Sequence, residues 1–286
     1  MKYINKFFIR WASLFSFFVA ATGNAQTVHI SHCMAGCPVA AGNIAVKDIE
    51  LIVRQLYVAS ISSQNGLADW QAYRVLADSV GVASLLPRTW FEDALVSRTA
   101  NIPEAINSSQ QLEQAVLIDV EERSYQLGGI NLLSEDHGRL VPMSSFAGTP
   151  YWSELNLLSN MAALPFDLRI GSWSRLDQAI NALADKIGEV YVISGPIYSG
   201  SGKGVHERVD NNEGERTVKP SAYFKIISTP ESLSAFIFRS DVRQHVSFCD
   251  QVSTLGLIED ATGLTFFPQS ENIISDTLHA QLTCTL

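Results

Sequence analysis

The sequence predicts a single exported domain of the α+β class. The chain has 286 residues, of which 47% are hydrophobic and 17% charged, so it has enough apolar material for a core and too little charge for a disordered chain. Strand-like and helix-like segments occur together, but the regular strand–helix–strand repeat of a parallel sheet is absent. No linker-like segment divides residues 26–286, which favours one mixed domain over two.

Segments rich in β-branched and aromatic residues, bounded by Gly, Pro or Ser, are predicted strands: residues 49–59, 191–194, 222–227 and 234–239. A helix is predicted over residues 173–187. One face of it carries an apolar residue every three or four positions: Trp173, Leu176, Ile180, Leu183 and Ile187. Gly188 is expected to end this helix. Residues 241–255 are a second helix candidate, and residues 200–204 are read as part of an exposed loop.

The N-terminus has the pattern of a signal peptide. Lys2, Lys6 and Arg10 form a basic region, residues 11–21 are apolar, and small residues precede an expected cleavage after Ala25. A membrane anchor is the alternative, but the apolar run is short for a span of about 20 residues. Residues 1–25 are therefore predicted to be a signal peptide, and residues 26–286 the mature domain in a secreted or periplasmic location without membrane contact.

Net charge excludes proteins that coat nucleic acid through a bulk positive field. The chain has 20 basic and 29 acidic residues. Residues 1–25 contain three of the basic residues and none of the acidic ones, so the mature chain carries a formal charge of −12. Any binding of a polyanion must therefore come from a local cluster of cations.

Cysteine usage agrees with export. An even number of cysteines in an exported chain suggests disulfides. Cys33 and Cys37 could close a tight loop, and Cys249 and Cys284 could tie down the C-terminal tail. Zinc binding is the alternative, because His32 adjoins Cys33, but zinc sites usually combine two close pairs of ligands and the second pair here is far apart. Two disulfides are therefore favoured.

The densest group of chemically active side chains lies within apolar flanks. Asp136-His137-Gly138-Arg139 is followed by Pro142, by Leu158-Ser159-Asn160-Met161, and by residues 167–177 at the predicted start of the helix. A surface turn would explain the first of these motifs taken alone. The whole series of motifs in this order is more specific than any one motif alone.

These motifs resemble those of the DNA/RNA non-specific endonucleases of the ββα-metal type, especially the secreted bacterial branch. Further segments agree: residues 33–38, 70–73, 191–198 and 219–225, and Phe248-Cys249. The resemblance covers essentially the whole mature chain. It implies a ββα-metal domain with a central antiparallel sheet and flanking helices, the disulfides Cys33–Cys37 and Cys249–Cys284, a DNA or RNA substrate, and a possible homodimer.

The resemblance also implies a mechanism. In this family a His is the general base that activates water, and one Mg²⁺, bound by a helix Asn and by water, stabilises the leaving oxygen. An acidic helix residue positions metal-bound water, and an upstream Arg clamps the phosphate. The implied site in this chain consists of Arg88, Asp136, His137, Arg139, Asn160, Arg169 and Asp177.

Two central positions depart from the family pattern. Arg139 stands where the family has its base His, while His137 stands at the family's Arg. Arg169 stands at the metal-binding Asn, Asp177 replaces the usual Glu, and a later Arg position carries Asn181. Arg stays protonated at all ordinary pH values and offers no lone pair, so it can neither accept the proton nor bind Mg²⁺.

Three functions remain open at this point. The resemblance implies an exported endonuclease that hydrolyses phosphodiester bonds if its site is active. An active chain would be a nuclease with rearranged chemistry, in which His137 activates water and Arg169 replaces the metal as electrostatic stabiliser. The alternative is a degenerate relative that binds nucleic acid or another phosphate ligand through Arg88, Arg139 and Arg169. A further possibility is an interaction protein that has only the fold in common with the enzymes. The expected cofactor is accordingly either Mg²⁺ or none.

Overall fold

A mainly antiparallel sheet of eight strands occupies the centre of the structure, a computed structural model that describes residues 29–41, 49–62, 67–96, 125–127, 130–132, 138–198, 220–270 and 275–284. In chain order its strands are β2 (Ile49–Val53), β3 (Tyr57–Ser62), β4 (Ala68–Leu76), β9 (Glu189–Ile197), β10 (Ala222–Ser228), β11 (Ser232–Arg239), β12 (Val252–Ser253) and β14 (Ser275–Asp276). Their spatial order is β12-β11-β10-β9-β4-β3-β2, and β14 pairs in parallel with β11.

Three pairs of short antiparallel strands lie outside this sheet: β1 (Val39–Ala40) with β13 (Leu264–Thr265), β5 (Tyr125–Leu127) with β6 (Ile130–Leu132), and β7 (Gly138–Arg139) with β8 (Met161–Ala162). The α-helices of the described residues are α1 (Phe166–Leu168), α2 (Ser174–Ile187) and α3 (Leu255–Thr262), and a π-type turn, Arg169–Trp173, joins α1 to α2. Short 3₁₀ helices occupy Ala77–Ser79, Ala83–Leu85, Met143–Ser145, Trp152–Asn156, Leu158–Asn160, Phe248–Gln251 and Leu278–Ala280.

The sheet is covered on both faces. On one face, the apolar side of α2 packs against the strands: Leu176, Ile180, Leu183 and Ala184 of the helix meet Tyr73, Val75, Val192, Tyr223, Ile227 and Phe236 of the sheet. The other face carries the Cys33 region and the α3 region, with Ile258 and Phe266 beside Phe224. Because both faces are buried, strands such as β10 and β11 contain nearly continuous apolar runs.

The α+β class and the antiparallel sheet are confirmed, as are the predicted strands within β9, β10 and β11 and the helix of residues 173–187. The N–H of Gly188 donates to the Ala184 carbonyl, and its positive φ of 95° ends the helix in a conformation that glycine adopts without strain. Residues 49–59 are not one strand, however. The chain turns between β2 and β3, where the Arg54 N–H donates to the Tyr57 carbonyl.

The predicted helix over residues 241–255 is wrong. Residues 241–247 form turns, and the Arg239 guanidinium makes two hydrogen bonds with the Asp241 carboxylate there. The following α3 begins only at Leu255, because the Thr254 side chain accepts a hydrogen bond from the Leu257 N–H and caps the helix. Thr254 thus marks the start of a helix where the sequence pattern predicted its end.

Two disulfides close the predicted loops. Cys33–Cys37 and Cys249–Cys284 have Cα–Cα separations of 4.9 and 5.3 Å. No cysteine of the described residues is free, which excludes the zinc alternative for these four side chains. Among the helices that the structure describes, none combines the length and apolar character needed to cross a bilayer.

Export and oxidation can be tested together on protein recovered outside the cytoplasm. The expected mature N-terminus is Gln26, and alkylation without prior reduction should leave the mass unchanged, because all four thiols are oxidised. Reduction before alkylation should add four alkyl groups. An N-terminus at Met1 would contradict the signal peptide, and four reactive thiols without reduction would contradict both bridges.

Candidate active site

Two short strands and a helix form a ββα unit around the predicted motif. Gly138–Arg139 pairs with Met161–Ala162, and the chain then passes through Phe166–Leu168 into α2. Position 138 requires glycine because a Cβ there would lie 2.7 Å from Leu164 Cδ1 and 3.1 Å from Arg169 Cδ. The motif strand and the Arg169 side chain are therefore in direct contact.

A row of buried polar side chains anchors this unit to the sheet. Gln71, Ser194 and Lys225 are aligned across β4, β9 and β10. Gln71 Nε2 donates to the Ser159 carbonyl (2.6 Å) and Ser194 Oγ to the Leu140 carbonyl (3.4 Å), while Lys225 pairs with Asp177. Each of these three sheet side chains thus contacts a different segment in or next to the ββα unit.

Arg139 is fixed in place by its surroundings. Its guanidinium carbon lies 4.2 Å from the centroid of the Trp90 ring. Nε donates to the Leu155 carbonyl (3.1 Å), and Nη2 donates to Asn156 Oδ1 (2.5 Å) and to the Arg88 carbonyl (3.3 Å). The side chain at the family's base position therefore ties three segments together as a permanent cation.

Arg88 contributes to this arrangement through its backbone. Its carbonyl accepts from Arg139, and the neighbouring Pro87 carbonyl accepts from Asn156 Nδ2 at 2.9 Å. The Arg88 side chain itself is exposed to solvent. The structure thus brings the Arg88 segment to the motif, with the guanidinium directed to the surface, where a phosphate group could reach it.

Asn160 is completely buried and holds the motif strand. Its Oδ1 accepts from the Val141 N–H (2.9 Å), and its Nδ2 donates to the carbonyls of Val141 (3.1 Å) and Leu155 (3.0 Å). These contacts account for the amide without any ligand. Asn181 also makes internal contacts, since Ser145 Oγ donates to its Oδ1 at 2.5 Å and its Nδ2 donates to Ser144 Oγ at 3.2 Å.

Asp177 is buried beneath the unit in an ion pair. Its carboxylate contacts the ammonium group of Lys225, which also lies 3.8 Å from the centroid of the Trp173 ring. Burial raises the pKa of the Asp177 carboxyl, and Lys225 partly offsets this effect. Burial likewise lowers the pKa of Lys225, with Asp177 opposing the shift. Tyr73 lies close enough for Asp177 to add to the rise that burial causes in the Tyr73 pKa.

Arg169 lies between the motif strand and the surface. Its stem contacts Gly138, and its guanidinium carbon lies 5.4 Å from the Phe166 ring centroid. The Arg169 residue is partly buried, whereas Asp177 is buried. Asp136 and His137, the remaining members of the predicted site, lie outside the described residues.

The residues present do not fit the magnesium ion that the resemblance implies. Arg169, the residue that the resemblance places at the ligand position, has no lone pair to donate. The Asp177 carboxylate is paired with the buried ammonium group of Lys225. Within the described ranges, no three His, Cys, Asp or Glu side chains are grouped as metal ligands would be. At the position where the resemblance implies a metal ligand, this chain carries the cationic side chain of Arg169.

Two residues of this arrangement were missed in the sequence. Lys225 lies inside the apolar run of β10, and a lysine in such a run indicates a buried partner. Trp90 lies two positions after Arg88. No local pattern indicates that its ring supports Arg139, because 49 positions separate the two residues.

Comparison with known proteins identifies the family. The model of the DNA/RNA non-specific endonuclease family matches residues 40–272. A nuclease of Serratia marcescens is 31% identical over 273 residues, which are 92% of this chain and 89% of that protein. Nuclease C1 of Cunninghamella echinulata var. echinulata is 20% identical over 82% of this chain and 89% of its own length. The mitochondrial nuclease EXOG of Homo sapiens is 28% identical over 41% of this chain and 35% of that protein.

A family match over most of the chain, together with the ββα unit at the predicted motif, leads to one conclusion. The chain belongs to the DNA/RNA non-specific endonuclease family, whose members are phosphodiester-cleaving hydrolases.

Proposed function

We propose that this protein is an exported member of the family that binds the phosphodiester backbone of DNA or RNA and has lost the metal-dependent hydrolysis typical of its relatives. One observation carries the proposal: the base position holds Arg139, whose guanidinium is fastened to Trp90 and to three acceptors. A residue that remains protonated cannot activate water, and loss of a general base alone costs about 10²–10⁴ in rate.

The metal-ligand position supports the same proposal. Arg169 places a fixed positive charge beside the motif strand, which favours a phosphate oxygen and disfavours Mg²⁺. The exposed Arg88 side chain supplies a second cation on the segment bound to Arg139. We infer that these local charges hold the ligand, although the overall charge of the chain is negative. We also propose that the chain is secreted or periplasmic and has no membrane contact after signal cleavage. A homodimer is the expected assembly.

Rearranged catalysis is the second candidate. It is favoured by the contact between Arg169 and Gly138, since a guanidinium beside the motif strand can stabilise charge that develops on a phosphate. His137 would then be the base. Cleavage of this kind would persist when divalent ions are chelated, which separates it from both the family mechanism and simple binding.

A nicking assay beside a binding titration tests the proposal. Plasmid and RNA are incubated with the protein in Mg²⁺ and in chelator, and binding of a labelled oligonucleotide is measured in chelator. We expect binding without cleavage under either condition. Arg169→Gln should weaken binding and reduce the slope of log K against log salt by about 0.7 for a single strand.

Lys186→Gln is the matched control, because this exposed lysine at the end of α2 lies outside the site. It should leave the affinity and the salt slope unchanged. Mg²⁺-dependent nicking by the wild type would contradict the proposed loss of metal chemistry, and cleavage that survives chelation would replace binding with the second candidate. An absence of both binding and cleavage would contradict the proposed function altogether.

A further inference from the structure

An exposed aromatic ring lies beside the candidate site. Phe166 is 47% exposed, although Leu164 and Leu168, two positions before and after it, are completely buried. A single exposed apolar residue needs no special explanation on a protein surface. The position of this one does matter, because the same short segment carries Arg169 and leads directly from the motif strands into α2.

A cation lies beside the exposed ring. The Arg169 guanidinium carbon is 5.4 Å from the ring centroid, within the range of a cation–π contact. Asp167, the neighbour of Phe166, faces Arg243 at 3.8 Å, and the Arg243 side chain is 77% exposed. The ring thus has one guanidinium group beside it, which attracts an anion, while part of its apolar surface remains open.

This combination fits a strand of nucleic acid with unpaired bases. Proteins that bind single strands pair a cationic track for the phosphates with aromatic side chains on which bases stack. Inside a duplex, each base is already stacked on its neighbours and its face is inaccessible to such a ring. We propose that Phe166 is a stacking platform for an unpaired base of the strand whose phosphate meets Arg169, so that the site prefers single-stranded over duplex nucleic acid.

This inference rests on the proposed function, since it names the form of nucleic acid that the same site takes. It also makes a prediction that charge alone does not. Removal of the aromatic face should weaken binding only when the ligand carries bases, whereas loss of a cation should weaken binding to any ligand with the same phosphates.

Three probes separate the contribution of the ring from that of the cation: a thymidine oligonucleotide of about 12 nucleotides, an abasic strand of equal length, and a hairpin duplex. The affinity for each probe is measured in chelator. We expect Phe166→Leu to weaken binding of the thymidine strand by about 5- to 150-fold. Its affinity for the abasic strand should not change. Phe166→Trp should restore or exceed wild-type affinity for the thymidine strand.

Tyr151→Leu is the matched control. This aromatic side chain is 49% exposed and lies in the turn before the short helix Trp152–Asn156. Its replacement should leave all three affinities unchanged. Circular dichroism and sedimentation of each variant establish that fold and oligomeric state match the wild type.

Several outcomes would overturn the inference while leaving the proposed function intact. These are unchanged thymidine binding by Phe166→Leu, equal weakening on the abasic strand, equal wild-type affinity for duplex and single strand, and a change of oligomeric state in place of affinity. Failure of the wild type to bind any of the three probes would instead remove the proposed function and this inference together.

Discussion

The variant that combines His137→Arg, Arg139→His and Arg169→Asn should show Mg²⁺-dependent cleavage of DNA and RNA at least about 10²-fold above the wild-type rate. A His at position 139 regains a lone pair for water activation, and its ordinary pKa of about 6.5 suits catalysis near neutral pH. An Asn at position 169 offers an amide oxygen and removes a cation that would repel the metal ion.

The rate is measured as plasmid nicking with Mg²⁺ and with chelator, on preparations purified in parallel with the wild type. The double variant without Arg169→Asn is the matched control and should gain little, because the guanidinium remains. Stability must be followed as well, since Arg139→His removes contacts with Trp90, Leu155 and Asn156. A folded triple variant without added metal-dependent cleavage would show that these positions are not the ones that abolished the family's chemistry.

Lys225→Met should destabilise the fold by about 3–5 kcal/mol at neutral pH. Lys225 is completely buried, and its replacement leaves the Asp177 carboxylate beneath α2 without its counter-ion. Urea unfolding measures the loss. Asp177→Asn combined with Lys225→Met is the matched control, and it should recover most of the stability because no uncompensated charge remains. A single variant as stable as the wild type would contradict the importance of the pair.

The defect of Lys225→Met should shrink as the pH falls. Burial raises the pKa of Asp177, and both effects that lower it come from Lys225, so the variant raises this pKa further above the unfolded value of about 3.8. A group whose pKa is raised in the folded state contributes stability at low pH and loses it as the pH rises through the folded pKa. Unfolding at about pH 4.5 and pH 7.5 should therefore give a smaller difference from the wild type at the lower pH.

The parts of the fold that could be predicted are those with a strong local pattern. The helix over residues 173–187 has an uninterrupted apolar face and a glycine at its end, and the predicted strands within β9, β10 and β11 are dense in β-branched and aromatic residues. The central strand β4 was missed. Its Asp69, Gln71 and Arg74 interrupt the apolar pattern, and their presence is explained only by neighbours distant in sequence, such as the Ser159 carbonyl bound by Gln71.

The candidate site divides in the same way. The residue types alone determine that Arg139 cannot be a base and that Arg169 cannot bind a metal ion, because these are properties of the guanidinium group in any surroundings. The resemblance of the motifs to those of the family also implies that both residues lie in one ββα unit. These conclusions require no coordinates.

Only the tertiary structure decided what the same side chains do instead. Arg139 lies on Trp90 across 49 positions of sequence, and Asp177 pairs with Lys225 across 48. The Asn160 amide is hydrogen-bonded to the backbone of Val141 and Leu155, and Phe166 remains exposed beside Arg169. Burial and pairing of this kind depend on which distant segments the fold brings together, so a local pattern specifies the chemistry of a side chain, while its partners and exposure follow from packing.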